Sequence, residues 1–456
     1  MPAAARAAAV RAAAVCAPAA VHGRLDPVTR RPQATIGLVW RAVLASRLVI
    51  VFCGAAGVLQ LGLAPGASAA YDPGSLTAPF GYLPNALVAP LARWDSVWYL
   101  TIAAHGYAGN ARRMAFFPLY PALIRLLGAL VGSDLIAGVL ISLAAFVAAL
   151  LVLHRLVCLD HDREVADTTV LLVAFCPVSF YLSAVYTEPL YLALSVGCLY
   201  AARRERWALC GVLGFFAALS RNVGAALIVP AAYIYLYGPR ASRGPRPAAA
   251  RGAGDAPSRS GFSRIAPRHR LRPGALWLLL IPAGLGAYLA YLGLRYGNAL
   301  EPLTAEAAWY RHTTFPLVTI WQAASQAWEG LRQLLQGPLA PARVPPYAQS
   351  VISAAFQDVY LFVFLVLGLV ALLGVARRLG GAYALYSLVL MVAALADPVS
   401  LQPLAALPRY ELVIFPLFIW AALVLKRRGM APWVLPALAV LLGLFTVEFA
   451  TWRWVA

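Results

Sequence analysis

The residues best able to do chemistry fall in short runs. The first is Arg93-Trp94-Asp95-Ser96-Val97-Trp98-Tyr99-Leu100, followed by His105-Gly106-Tyr107. Its aromatics and Leu100 make one face of a short helix apolar. That suits a helix lying at a membrane interface, with Trp and Tyr at headgroup level. Asp95 sits in the first turn, where exposed N–H groups favour a carboxylate. Two readings stay open: a base beside rings able to stack on a sugar, or a helix-end charge paired with Arg93. Glu188, in Tyr186-Thr187-Glu188-Pro189, likewise opens a helix and reads as a site acid or a cap. Arg221, in Ser220-Arg221-Asn222, interrupts an apolar stretch. An arginine at mid-helix costs about 2.5–3.5 kcal/mol, so Arg221 should face a polar cavity or meet a carboxylate, with Glu188 a candidate partner. In Pro408-Arg409-Tyr410-Glu411, Arg409 either pairs with Glu411 or grips a phosphate with its two-pronged head. Trp309-Tyr310-Arg311-His312 mixes aromatics with Arg and reads as interface anchoring or ligand contact. Arginines for a phosphate, aromatics for sugar or acyl groups and a carboxylate base would together suit a lipid-phosphate substrate.

Those runs must be held by a membrane scaffold. Of 456 residues, 62% are hydrophobic and 12% charged, against about 45–50% and 25% in soluble proteins. The apolar residues come in blocks of spanning length. Eleven blocks are predicted to be helical: 35–63, 135–157, 168–184, 189–202, 208–219, 223–237, 275–294, 351–376, 383–396, 412–425 and 433–449. Several fall short of the ~20 residues a bilayer core needs, and Pro177, Pro189 and Pro230 are expected to mark broken or shortened helices. The expected class is an all-α polytopic membrane protein with interfacial helices in its first external loop.

The net charge of +19 raises nucleic acid as a partner, but the basic residues lie between apolar blocks, as in cytoplasmic loops. Segment 238–273 holds nine arginines against Asp255 and reads as a disordered cytoplasmic linker; only Phe262 could stack on a base, so no nucleic-acid partner is expected. Residues 1–35 read as a disordered cytoplasmic tail. The bookkeeping leaves 36–237 as an N-terminal half with external loop 64–134, and 274–456 as a C-terminal half with external loop 297–350. It closes only if 114–133, with Pro118, Pro121 and Arg125, stays interfacial instead of spanning. The six cysteines form no CxxC pair and read as small buried hydrophobes. No Walker, GxGxxG or HExxH motif occurs; no cofactor is called for, and a divalent metal stays open.

RWDSVWYLTIAAHGY (93–107), AFFPLYP (115–121), CPVSFYLSAVYTEPLYLAL (176–194), ALSRNVG (218–224), YGNALEPLTAEAAWYRH (296–312) and LPRYELVIFPLF (407–418) resemble, in order, the PIG-V mannosyltransferase family of GT-C membrane glycosyltransferases. The resemblance implies a GT-C-like fold and a polyprenyl- or dolichyl-phosphate-mannose donor. It implies transfer to a lipid or glycan acceptor on the outer face of the plasma membrane, inverting the sugar. Asp95 matches the family's essential acid in the first external loop. The donor's phosphate or sugar would meet Arg93, Arg221, Arg409, Tyr410, Glu188 and His105, with Trp94, Trp309, Arg311 and His312 as weaker candidates. A transporter or lipid-sugar flippase is the competing class, although no paired halves are visible; a non-catalytic assembly subunit is a third.

Overall fold

The computed structural model describes residues 32–238, 269–337 and 350–455. Most of the tail and of the linker therefore lies outside the described residues. Every predicted block is wholly or partly helical, since a bilayer core leaves backbone groups no partner but one another. Five helices are long and apolar enough to cross a membrane: Gln33–Leu61, Asp134–Val157, Pro273–Tyr296, Ile352–Arg378 and Ala431–Ala450. The other blocks give the shorter helices Arg163–Ala174, Glu188–Arg203, Trp207–Ser220, Ile228–Tyr237, Gly381–Ala396 and Phe415–Arg428. Eleven full spans are thus too many by length; the deficit falls where proline or a polar run cuts the helix. No strand forms among the described residues, and the one isolated bridge pairs Arg311 with Val399.

Charge sorts the two ends of the bundle. Helix Glu188–Arg203 starts at one acid and ends at Arg203, whose two terminal nitrogens each lie 2.6 Å from a carboxylate oxygen of Asp160. Helix Phe415–Arg428 ends at Lys426, 2.5 Å from Asp162 and 2.9 Å from Glu164. The basic loops around 160 and 203 therefore share an end, as the charge pattern requires. At 1.5 Å per residue that end lies ~24 Å from Glu188 along its helix.

The break in the third block is built, not frayed. Helix Arg163–Ala174 stops before Pro177, a single 3-10 turn follows at Ser179–Leu182, and Glu188 opens the next helix. Residues 176–189 are all buried, so their backbone groups need partners. Arg47, on the first long helix, supplies several. Its guanidinium donates to the carbonyls of Ala174 (3.2 Å) and Ser179 (3.0 Å) and to the hydroxyls of Ser179 (2.6 Å) and Ser183 (3.3 Å). Val185 N–H reaches Leu91 O at 2.9 Å, tying the irregular stretch to the loop that carries Asp95.

Segment 114–133 forms helix Leu119–Val131, ended by Gly132 in the left-handed conformation (φ 78°). Its 13 residues rise ~20 Å, too little for a ~30 Å core. Tyr120, Pro121, Ile124 and Gly128 face inward while Leu126 and Leu130 are exposed. Segment 297–350 departs further from expectation. It is not simply a loop: helix Pro316–Gln336 packs along Val351–Arg378. Thr319, Ala323, Ala327, Gly330 and Gln333 are buried, Thr319 Oγ1 donating to Leu395 O of helix Gly381–Ala396 (2.7 Å), and Leu317, Trp321, Trp328 and Leu335 form an exposed apolar stripe. Four glutamines, Ser325, Glu329 and Arg332 along the helix dilute its hydropathy, so a search for apolar blocks passes over it.

Candidate active site

Asp95 begins helix Asp95–His105. Its amide donates to the Tyr186 hydroxyl (3.2 Å), which itself donates to Arg93 O (3.1 Å). The buried irregular stretch thus fixes where the carboxylate starts. Asp95 Oδ2 lies 2.5 Å from Arg409 Nη1. Arg409 Nε is 3.0 Å from Glu188 Oε1, an ion-pair distance without hydrogen-bond alignment. The same Glu188 oxygen meets Arg221 Nη1 at 2.6 Å. Two acids and two arginines therefore form one continuous network. Glu188 is 1% exposed in its side chain, Arg221 and Arg409 12% each, and Asp95 21%, which leaves Asp95 as the member a ligand reaches first. Glu188 Oε2 has no hydrogen-bond partner. Burial works against the Arg409 charge, but Asp95 and Glu188 outweigh it and hold its pKa well above the ordinary value.

Arg311 forms a second charged wall. It donates to Tyr410 Oη (2.8 Å) and to Asp397 O (2.7 Å), with Glu306 at 3.4 Å. Backbone bonds from Thr314 to Ala396 and from Ser400 to Tyr310 pin this wall in place. Burial raises the Glu306 carboxyl pKa, with Arg311 opposing. The Tyr410 ring lies 5.3–5.7 Å from the guanidinium carbons of Arg221, Arg409 and Arg311, a shared cation–π face.

These walls enclose a cavity of about 430 Å³ lined by Asp95, Arg221, Arg311, Arg409 and Tyr410, and by Trp94, Trp98, Trp309, Tyr71 and Trp454. Trp98 stacks on Phe116 (5.6 Å, 12°) and meets Trp309 edge-on (5.5 Å).

Not every predicted residue joins. Arg93 turns away to Ala450 O (2.9 Å) and the Thr77 hydroxyl (3.2 Å), so it braces the loop and is not Asp95's partner. Burial pulls its pKa down to about 10, with Asp72 opposing. His105 is exposed at the far end of its helix. His312 meets Ser400 at 3.1 Å on the surface. Neither histidine lines the cavity. Glu411 does not pair with Arg409: it is buried against Gly368, and its Oε1 has no hydrogen-bond partner. Among the charged and aromatic residues of the cavity, four were not singled out from sequence. Glu306 precedes Arg311 by five residues, and Asp397 ends an apolar run before a proline, which are readable signals; Tyr71 and Trp454 gave none. Among the described residues no three His, Cys, Asp or Glu side chains converge, and Asp95 and Glu188 each already face a guanidinium.

Arg221 is placed by a tight approach. A Cβ on Gly224 would lie 2.3 Å from the carbonyl carbon and oxygen of Ala217. Gly224→Ala should therefore push the Asn222–Leu227 turn off the preceding helix and move Arg221 with it. A loss of about 1–3 kcal/mol of stability is expected, read as a lower unfolding temperature in detergent. An unchanged temperature would show that the turn yields freely.

The family described as mannosyltransferase (PIG-V) matches over residues 59–237. That stretch of the chain is similar to the PIG-V mannosyltransferases. It holds Asp95, Glu188 and Arg221; Arg311 and Arg409 lie beyond it. GPI alpha-1,6-mannosyltransferase 2 of Rattus norvegicus is 33% identical over 174 residues, 34% of this chain and 34% of its own. GPI mannosyltransferase 2 of Yarrowia lipolytica is 30% identical over 139 residues, 30% of this chain and 39% of its own. The chain thus spans about a third of the length of the curated relatives it matches. The apo oligosaccharyltransferase of Archaeoglobus fulgidus aligns over 90% of this chain and 56% of its own, at 13% identity and a TM-score of 0.41. With its apolar helices, the protein is a multi-pass membrane protein similar to membrane mannosyltransferases.

Proposed function

We propose that the chain transfers mannose from a polyprenyl-phosphate-mannose donor to a lipid or glycan acceptor on the non-cytoplasmic face of the plasma membrane. The observation that carries this reading is the Asp95–Arg409–Glu188–Arg221 network opening on an aromatic cavity at the end of the bundle opposite the Arg203 and Lys426 clusters. The positive-inside tendency supports a cytoplasmic basic end and, with it, a cavity on the outer side.

Asp95 takes the proton of the acceptor hydroxyl as that oxygen attacks the anomeric carbon. The bond from that carbon to the phosphate oxygen breaks, and polyprenyl phosphate leaves with the electron pair. Attack from the face opposite the leaving group inverts the centre. The growing phosphate charge falls to Arg409, with Arg221 and Arg311 nearby, in a partly dry site where such interactions are strong. Arg409 grips Asp95. A donor phosphate competes for that guanidinium, so donor binding frees the base it needs.

The experiment is sugar transfer by purified protein in lipid nanodiscs, with labelled polyprenyl-phosphate mannose, or GDP-mannose in its place. Transfer from the lipid-linked donor alone is expected. Movement of intact labelled lipid between leaflets, with no glycosidic product, would make the protein a flippase instead.

A further inference from the structure

We propose that Tyr71, Trp94 and Trp454 form the subsite on which a hexopyranose ring of the acceptor stacks. The inference rests on the glycosyl-transfer reading above.

Trp94 directly precedes Asp95 and sits at φ 56°, ψ −114°, a backbone region a bulky residue seldom enters. Such strain persists only where the surroundings impose it. Here they do: Arg93 is anchored to Ala450 O and Thr77, and the Asp95 amide to Tyr186. The ring next to the base is therefore held in one orientation.

The other two rings come from distant parts of the chain. Tyr71 lies 4.7 Å from Trp94, centroid to centroid, and Trp454 meets Trp94 edge-on at 5.1 Å. The stretch after helix Ala431–Ala450 is tied down at several points. Thr451 O accepts from Ala64 N–H (2.9 Å), and Trp454 O from the Gln357 side chain (2.9 Å). Tyr360 Oη donates to Val455 O. Tryptophans that merely anchor a protein at a membrane face the lipid. These three rings line the cavity that holds Asp95.

Their place relative to the charges favours the acceptor over the donor. A donor phosphate must lie against the arginines, and Trp309, two residues from Arg311, packs with Trp98 and Phe116 on that wall. A general base must lie within hydrogen-bond reach of the hydroxyl it deprotonates. Trp94, the central ring of the Tyr71–Trp94–Trp454 wall, directly precedes that base. Flat rings offer large contact area at little entropy cost, and the C–H face of a pyranose is the matching surface.

The test uses the full chain in nanodiscs with polyprenyl-phosphate mannose. Acceptor probes are octyl mannopyranoside, octyl glucopyranoside and octanol, and KM is measured separately for donor and acceptor. Trp454→Ala is expected to raise the pyranoside KM about tenfold with the donor KM unchanged. Trp454→Tyr, which keeps a ring, should recover most of the loss. Tyr71→Ala, at a position already 38% exposed, should raise the pyranoside KM several-fold and decides the question if Trp454→Ala fails to fold. Equal shifts in both KM values, or none in either, overturn the subsite. Wild-type transfer to octanol but to neither pyranoside also overturns it and leaves the transferase reading standing. Failure of wild-type protein to transfer to any of the probes overturns the subsite; failure even to bind the donor would remove the transferase reading too.

Discussion

Asp95→Asn is expected to lower sugar transfer by about 10²–10⁴-fold while leaving the protein folded and inserted. A sugar hydroxyl is a poor nucleophile at neutral pH, and a positioned carboxylate is what makes it react. Asn keeps the size of Asp and an oxygen that can still accept from Arg409 Nη1. Arg409 also retains Glu188 at 3.0 Å, so no guanidinium is stranded. Only basicity is lost. Asp95→Glu keeps basicity but moves it by about a bond length, and a shift near an ångström can itself cost about a hundredfold. Both variants are read by transfer from polyprenyl-phosphate mannose, alongside donor binding and detergent stability. Near wild-type turnover in Asp95→Asn would reduce Asp95 to a helix-end charge and hand the role of base to Glu188.

Arg409 should show an effect of comparable size, divided differently. Among the described residues it alone bridges Asp95 and Glu188, and it is the cation best placed for the donor phosphate. Arg409→Lys keeps the charge but has a single ammonium where the guanidinium reaches both acids from two nitrogens. The expected result is a donor KM raised about tenfold or more, with the acceptor KM little changed. Arg409→Ala leaves Glu188, 1% exposed, to Arg221 alone and Asp95 without its cation. Breaking a buried pair in this way costs about 3–5 kcal/mol, so this variant should lose stability as well as activity. Donor kinetics unchanged in both would remove Arg409 from the phosphate site.

What sequence could show and what it could not follow from the range of the interactions. Spanning helices are written locally, as runs of apolar residues, so nearly every block was legible. Helix Pro316–Gln336 was not, because its apolar stripe is one face of a helix otherwise rich in glutamine and carrying Glu329 and Arg332. Arg221 was legible as a charge in an apolar stretch that needed a carboxylate, and Glu188 is that partner at 2.6 Å. The Arg409–Asp95 contact joins positions 314 residues apart, and nothing local specifies it; sequence offered each residue a nearer partner, Arg93 for Asp95 and Glu411 for Arg409, and the fold uses neither. Trp454 joins the cavity only because the last helix packs along the first, which is a property of the bundle and not of its terminal residues.

Arg47 has a consequence for how the protein is made. Its principal partner, Ser179, lies 132 residues downstream. When the first long helix leaves the insertion machinery, that guanidinium has no carbonyl or hydroxyl from 174–183 to meet. A mid-membrane arginine then costs about 2.5–3.5 kcal/mol, which the rest of the Gln33–Leu61 helix must outweigh alone. Phe146, whose ring lies 4.6 Å from the guanidinium in the finished fold, is synthesised before those partners, and the carbonyls follow a few dozen residues later. The N-terminal helix is therefore inserted early but seated late. Replacing it with a generic apolar anchor would ease biogenesis and leave the Ala174 and Ser179 carbonyls without their donor.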